Sequence, residues 1–332
     1  MAGRDAVLVT GGAGYIGAHC CKALAEAGYL PVCFDNLSTG HAQFVKWGPL
    51  VRADVADAAA LAAVFAQHHP VAVMHFAAAS LVGESVSDPQ KYYLNNVAGT
   101  LNLLKAMGEA GCTKLVFSST GAVYGNAGSD PIREEAAKAP VNPYGASKLM
   151  IERILEDYRS AYQLNSIVLR YFNASGADPS GVIGEKRDVE THLIPRALMA
   201  LQGHCADFAV FGDDYETPDG TAIRDYIHVT DLAAAHLRAL HLLNGGAAGG
   251  VYNLGTGQGY SVTAILKAIE AETGRPMNTI LKPRRVGDPP VLVADPSAAR
   301  VALGFAPIHS DLAAIIRTAW AWHQTAHPAR AG

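Results

Sequence analysis

VLVTGGAGYIGAHC, residues 7–20, is the stretch from which the rest of the chain is read. It opens on a short apolar, β-prone run, passes through a cluster of glycines and continues with helix-compatible residues. Gly11, Gly14 and Gly17 make G-x-x-G-x-x-G, and Gly12, Gly14 and Gly17 also satisfy G-x-G-x-x-G. Glycine allows the tight turn, lets the backbone approach a pyrophosphate and permits close helix–strand packing. The helix that follows presents unpaired N–H groups and the positive end of its dipole to the phosphates. Tyr15 and Ile16, between the last two glycines, belong to the same candidate cradle. A glycine motif alone is often an ordinary turn. Its place between a strand and a helix turns the reading toward a bound dinucleotide.

The next apolar run, PVCFDN at 31–36, ends in Asp35, 18 residues after Gly17. A carboxylate there accepts hydrogen bonds from ribose hydroxyls and repels a 2′-phosphate, and no arginine follows closely, so NAD is expected over NADP. Asp35-Asn36 is also a common way to start a turn, but the roughly 20-residue spacing favours the ribose reading. Asp54 and Val55, in RADVAD at 52–57, are candidates for the adenine side. A helix N-cap explains Asp54 equally well.

Working outward, short apolar runs alternate with helical stretches. Strands are expected at Ala6–Thr10, Leu30–Phe34, Val71–Phe76, Lys114–Ser119 and Ser166–Tyr171, with helices near 15–27, 57–68, 89–109 and 144–162. VAVMHF, KLVFSS and SIVLRYF read as continuous apolar runs, as buried parallel strands do. The pattern predicts an α/β fold, a doubly wound parallel (Rossmann) sheet with a smaller α/β substrate-binding lobe. Residues 1–173 form the expected NAD-binding domain and 174–332 the lobe, where glycine and proline become frequent; segments near 224–254 are expected to return to the main sheet.

With 332 residues, half of them hydrophobic and 17% charged, the chain can bury a large core. A net charge of −4 without a basic stripe argues against nucleic acid. The five cysteines, at 20, 21, 33, 112 and 205, form no CxxC pair and read as reduced thiols of a cytoplasmic protein. The 13 histidines show no metal spacing, so no metal is expected. No apolar run reaches the roughly 18 residues a membrane span needs, and the first strand begins too early for a signal peptide.

NPYGASKLM, 142–150, holds the chain's only Tyr-x-x-x-Lys, Tyr144 and Lys148. Asn142 suits an N-cap and Pro143 the first turn, which puts the pair one turn apart on one helix face. A free tyrosine, with a pKa of about 10, is a poor base at neutral pH. A neighbouring ammonium and an oxidised nicotinamide would both favour its phenolate. Such a pair is by itself usually a solvated helix face, but LVFSSTGAVYG at 115–125 supplies Ser118, Ser119 and Thr120 at a strand end, where a doubly wound sheet opens its ligand crevice.

These three motifs together resemble the extended short-chain dehydrogenase/reductases. FDNLSTG, HFAAASLVGES, YYLNNVAGT, RYFNASGA, VFGDDYETPDGTAIRDYIHVTDLA, NLGTGQG and RRVGDP narrow the resemblance to the UDP-glucose 4-epimerases, from residue 7 to about 300. The resemblance implies that Tyr144 is the acid/base, that Lys148 tunes it and binds the nicotinamide ribose, and that Thr120 assists at O4. It adds Phe76, Ala77, Asn95, Ser118 and Phe172 to the NAD pocket. Asn173, Arg224, Arg285 and Asp288 would hold the UDP-sugar, with His192, Leu193 and Phe211 nearby. It also implies a homodimer built on the helices near 89–109 and 144–162. Some members carry a lysine where this chain has Ser80, so one charge contact to the cofactor is missing. Leu292 stands where hexose-restricted members place a tyrosine, which implies room for N-acetylated sugars.

Dehydratases and decarboxylases on this scaffold carry a carboxylate one or two places after the SST hydroxyl; here stand Gly121 and Ala122. A UDP-pentose epimerase is the other enzymatic alternative. A non-catalytic NAD-binding protein would be expected to lose Tyr144, Lys148 or Thr120, and all three are intact.

Overall fold

The computed structural model describes residues 4–128, 130–204, 208–285 and 288–326; Cys205, and Val286 and Gly287 of RRVGDP, lie outside the described residues. In chain order the first strands are β1 (Ala6–Thr10), β2 (Leu30–Phe34), β3 (Leu50–Val51), β4 (Ala72–His75), β5 (Lys114–Thr120) and β6 (Asn165–Tyr171). Then follow β7 (Asn173–Ser175), β8 (Phe208–Phe211), β9 (Ile223–His228), β10 (Gly249–Leu254), β11 (Gly259–Ser261), β12 (Thr279–Lys282) and β13 (Val291–Leu292).

Seven of these strands form one parallel sheet in the order β10-β6-β5-β4-β1-β2-β3. The order reverses between β1 and β4, which opens a crevice at their carboxyl ends. Every residue of β1 is buried, and alternate side chains serve opposite faces. Val7 and Val9 pack with Cys20, Cys21 and Leu24, and with Leu232 and Leu240. Ala6 and Leu8 pack with Leu103, Met107, Ile151 and Leu155 on the other side.

The helices are α1 (Tyr15–Glu26), α2 (Ala58–His68), α3 (Val82–Ser87), α4 (Pro89–Tyr92), α5 (Gly99–Glu109), α6 (Pro143–Tyr162), α7 (Leu193–Leu201), α8 (Val229–Asn244), α9 (Val262–Thr273), α10 (Ser297–Leu303) and α11 (Leu312–Ala326). α1 and α8 share one face of the large sheet; α2, α5 and α6 cover the other. β11, β9 and β13 form a smaller sheet joined by β7, and β12 pairs with β8. Ile194, Leu198, Ile265, Ile269, Ile315 and Ile316 of α7, α9 and α11 build a separate core beside these strands.

The helix expected near 89–109 is present as one helical run with a π turn inside it. Asp88 caps α4 by accepting from Lys91 N at 3.2 Å, Pro89 takes the first turn, and Tyr93–Ala98 then widens into a π-helical turn before α5. π turns lie frequently at functional sites. This one buries the Asn96 side chain and leaves Asn95 half-buried beside it.

Candidate active site

The glycine turn divides its labour. A Cβ on Gly11, whose φ is +73°, would lie 2.7 Å from Ala77 N and 2.8 Å from the Phe76 carbonyl carbon; one on Gly17 would lie 2.2 Å from Gly11 O. Both glycines therefore serve backbone packing. A Cβ on Gly14 would meet only Gly11 O, at 3.3 Å, so this glycine faces open space. Gly14 is also the N-cap of α1, with no side-chain cap and no acidic residue in the first turn. An uncapped helix start beside an open glycine is the arrangement an anion needs. The side chains flanking it are engaged elsewhere: Tyr15 Oη donates to Gly176 O at 2.6 Å, and Ile16 packs into the core.

Asp35 accepts from Ala13 N at 3.0 Å and from Leu37 N at 2.8 Å, which ties the end of β2 to the glycine turn. Burial pushes its carboxyl up, and the two backbone donors pull it back. It is thus both the turn residue and a carboxylate placed beside the phosphate cradle. Asn36 Nδ2 donates to Asp54 Oδ2 at 2.7 Å, and Asp54 Oδ1 accepts from Ala56 N. The N-cap alternative for Asp54 is corrected: α2 is capped by Asp57, which accepts from Ala60 N. Val55 is buried against Gly99. These residues fit a dinucleotide with free ribose hydroxyls.

At the mouth of the crevice, β5 and α6 meet. Asn142 Oδ1 accepts from Gly145 N at 2.9 Å and Pro143 opens the helix, so Tyr144 and Lys148 project one turn apart. Tyr144 is hydrogen-bonded to Thr120. Thr120 Oγ1 also accepts from Ala122 N, capping the turn after β5. Lys148 Nζ donates to Ser118 O at 2.7 Å and lies 4.8 Å from the Phe117 ring centre. Burial pulls the Lys148 ammonium down to about 7, against the pull of Glu152. Ser118 Oγ is bonded to Tyr171 Oη. Burial raises the Tyr144 hydroxyl, and what opposes it is the Thr120 hydrogen bond and the Arg187 guanidinium. Phe76 lines the same region, tilted against His236, with Ala77 behind Gly11. Asn95 Nδ2 donates to Asn96 Oδ1, and Asn96 binds Ala79 and Ser147. The Phe172 ring covers Gly121.

The residues expected on the sugar-nucleotide side form a second group. Asn173 Nδ2 donates to Asp225 O at 2.9 Å. Arg224 Nη2 is paired with Asp288 Oδ1, and Arg285 stacks 4.1 Å above the Phe211 ring. Leu292 sits opposite Arg224 in the β13–β9 register and packs against the cluster of Val123, Tyr124 and Ile132. His192 Nδ1 is 2.6 Å from Glu185 Oε1, which raises its pKa, and Leu193 starts α7 beside it. Ser80 is exposed.

Sequence reasoning missed Glu185, Arg187 and Glu190, which lie in a loop with no motif. Glu185, Glu190 and His192 bring their ligand atoms within 4.8 Å of one another. Arg187 Nε already donates to Glu185 Oε1 at 2.9 Å, so an arginine supplies the positive charge of this cluster.

Residues 7–255 match the NAD dependent epimerase/dehydratase family. A UDP-glucose 4-epimerase of Rhizobium leguminosarum bv. trifolii is 52% identical, over 97% of this chain and 98% of that protein. The crystal structure of UDP-glucose 4-epimerase from Brucella ovis in complex with NAD is 53% identical with a TM-score of 0.93, over 95% of this chain and 97% of that one. The Bifidobacterium longum enzyme in complex with NAD+ and UDP is 40% identical with a TM-score of 0.91, over 97% and 99%.

The depressed Lys148 ammonium carries a measurable pH signature. It is held near 7 in the fold against 10.5 ordinarily, so between these values the unfolded chain binds more protons. The cost of the buried charge is therefore full below about pH 7 and fades as pH climbs toward 10.5. Lys148→Met removes that cost. Its stability relative to the parent, measured by urea unfolding across this range, is expected to be highest below pH 7 and to decline toward pH 10.5. A difference that does not vary with pH would contradict the depression.

Proposed function

This chain belongs to the NAD dependent epimerase/dehydratase family, and from that premise we propose that it interconverts UDP-glucose and UDP-galactose, inverting C4 of the hexose through a transient 4-keto sugar. The observation that carries the reading is the meeting of Thr120, Tyr144 and Lys148 at the carboxyl end of β5, across the crevice from an uncapped α1. Bound NAD supplies the hydride acceptor, and afterwards the donor, at C4. Gly14 and the first turn of α1 hold its pyrophosphate, and Asp35 holds the adenosine ribose. Tyr144 takes the proton from O4 and returns it after the sugar has turned; Thr120 orients that oxygen. Lys148 binds the nicotinamide ribose from its seat on Ser118 O.

The hexose must turn over while the nucleotide stays anchored, so binding energy belongs at the UDP end. Arg285 over Phe211, the Arg224–Asp288 pair, Asn173 and Leu193 supply that anchor in this reading. Arginine suits it because its planar fork donates to two phosphate oxygens at once. In domain terms, residues 1–173 carry the cofactor and 174–332 the sugar nucleotide, with α8 and β10 returned to the cofactor side. Cys20, Cys21, Cys33 and Cys112 are free and buried, in keeping with a cytoplasmic enzyme, and no helix among the described residues is long and apolar enough to cross a membrane.

Tyr144→Phe is expected to lower kcat for UDP-galactose by at least about 100-fold, the range for a lost acid/base, with UDP binding retained by calorimetry. Substantial remaining turnover would overturn the assignment. If NAD-loaded parent protein forms no UDP-glucose, the hexose substrate is wrong and UDP-pentoses are next.

Leu292 is smaller than a tyrosine and packs against the cluster of Val123, Tyr124 and Ile132, so the same assay is expected to detect turnover of UDP-N-acetylglucosamine. No turnover would remove the breadth and leave the hexose reaction intact.

The homodimer of this reading pairs the helices near 89–109 and 144–162. Val86 is 65% exposed, Leu94 58% and Met150 47% on those elements and the adjoining α3, an apolar patch that a partner copy would cover. Sedimentation is expected to give a dimer for the parent and monomer for Leu94→Glu combined with Met150→Glu. A monomeric parent would reject this interface.

A further inference from the structure

A buried chain of hydrogen bonds, which the reaction scheme leaves unused, runs from the glycine turn to the helix of Tyr144. Thr10 is the last residue of β1, one place before the turn, and His75 is its register partner at the end of β4. Thr10 Oγ1 lies 2.6 Å from His75 Nδ1, and His75 Nε2 lies 2.9 Å from Thr100 Oγ1 of α5. Thr100 Oγ1 donates to the carbonyl of Asn96 in the π turn, and Asn96 Nδ2 donates to Ser147 Oγ of α6 at 3.0 Å. Ser147 Oγ donates in turn to the Tyr144 carbonyl at 2.7 Å. Thr10, His75, Thr100, Asn96 and Ser147 are each at most 2% exposed.

The directions of these bonds fix the imidazole. Thr100 has one hydroxyl proton and gives it to Asn96 O, so toward His75 it only accepts. His75 therefore carries its proton on Nε2, and its Nδ1 accepts from Thr10. Burial, with the Lys148 ammonium nearby, pulls His75 down to about 3, so the ring is neutral and keeps this tautomer at neutral pH. β4 is already held in the sheet beside β1. Thr10 thus aims the ring, and the Nε2–H reaches out of the sheet to Thr100. Beyond Thr100 lies the π turn, where Asn96 Oδ1 accepts from Ala79 N at 2.8 Å and from Asn95 Nδ2 at 2.9 Å.

We propose that His75 is a positioning residue for the epimerisation: through Thr100 its Nε2–H anchors the π turn to the central sheet, and through Asn96 and Ser147 it sets the first turn of α6, which carries Tyr144. The cofactor seat and the acid/base stand on separate elements, while hydride and proton leave one C4–O4 unit, so the spacing between those elements must be fixed. This rests on Tyr144 being the acid/base.

The test measures kcat and KM for UDP-galactose, per mole of bound NAD, in the parent, His75→Asn, His75→Gln, Ser147→Ala and His75→Asn combined with Ser147→Ala. An asparagine amide reaches the Nδ1 position and keeps only the bond from Thr10; a glutamine amide reaches the Nε2 position and keeps the donor to Thr100. His75→Asn is expected to lower kcat about 10- to 100-fold, the scale of a misplacement of up to ~1 Å. KM should change little, and His75→Gln should recover most of the loss. Because both substitutions cut one chain, the combined variant should be little slower than the slower single one. Losses that multiply would make His75 and Ser147 independent braces and overturn the proposal. Equal losses in His75→Asn and His75→Gln, or an unchanged kcat in His75→Asn, would overturn it too. If His75→Asn does not retain NAD, Thr100→Val, which removes the same link from its other end, takes its place in the cycle with the same expectation. Activity surviving in Tyr144→Phe would instead sink the acid/base assignment itself.

Discussion

Lys148 is 3% exposed, and an ammonium removed from water must be compensated by its surroundings. Ser118 O accepts a hydrogen bond from it and the face of Phe117 lies beneath it. Glu152, one turn further along α6, supplies the opposing charge. That carboxylate is itself buried, so it needs partners: Arg170 grips both of its oxygens, and Ser119 donates to it. Arg170 passes on to Tyr124 Oη, Tyr124 to Asn253 Oδ1, and Asn253 Nδ2 to Ile132 O. One chain of bonds therefore crosses α6, β5, β6 and β10. Removing either member of such a buried pair typically costs about 3–5 kcal/mol, because the other charge is left alone. Tyr144, one turn before Lys148, takes its position from the same lock.

The two sides of the crevice differ for a physical reason. On the cofactor side, strands buried on both faces and a glycine turn without room for a Cβ define a rigid wall. On the sugar side, short strands and loops carry Arg224, Arg285 and Asp288 as ion-paired or stacked cations and anions. A hexose that must turn about its linkage to UDP needs the first to be fixed. The second must hold the nucleotide without gripping the ring. The division between a regular sheet and an irregular lobe meets that need.

How much of this the sequence carries depends on how local each signal is. β1 and β2 appear with the expected bounds because their apolar runs are continuous and end on glycine and aspartate. Asn142-Pro143 starts α6 as expected because capping is decided within four residues. Asp88-Pro89 opens α4 where the helix near 89–109 is expected to begin, because Asp-Pro is itself a cap signal; the π turn at Tyr93–Ala98 carries no comparable local cue. β3 is two residues long, too short for periodicity to register. Asp54 and Asp57 are both plausible caps on paper, and only the path of the chain selects Asp57. Arg187 carried no local signal. Its pairing with buried Glu185 depends on how the loop folds against Trp322.

What the cleft can do is also limited by space at the end of β5. A dehydratase on this scaffold would need a carboxylate just after Thr120. A Cβ on Gly121 would sit 2.9 Å from the Phe172 ring, so a side chain at that position would have to displace it. Phe172 in turn packs with Tyr124, whose hydroxyl belongs to the Arg170 network. Installing an acid here would thus disturb the wall of the pocket and the lock that holds α6. In the proposed reaction the proton on O4 is left to Tyr144 and Thr120, and a site that takes hydride from C4 and a proton from its oxygen, with no carboxylate in the two places after Thr120, is built to put them back.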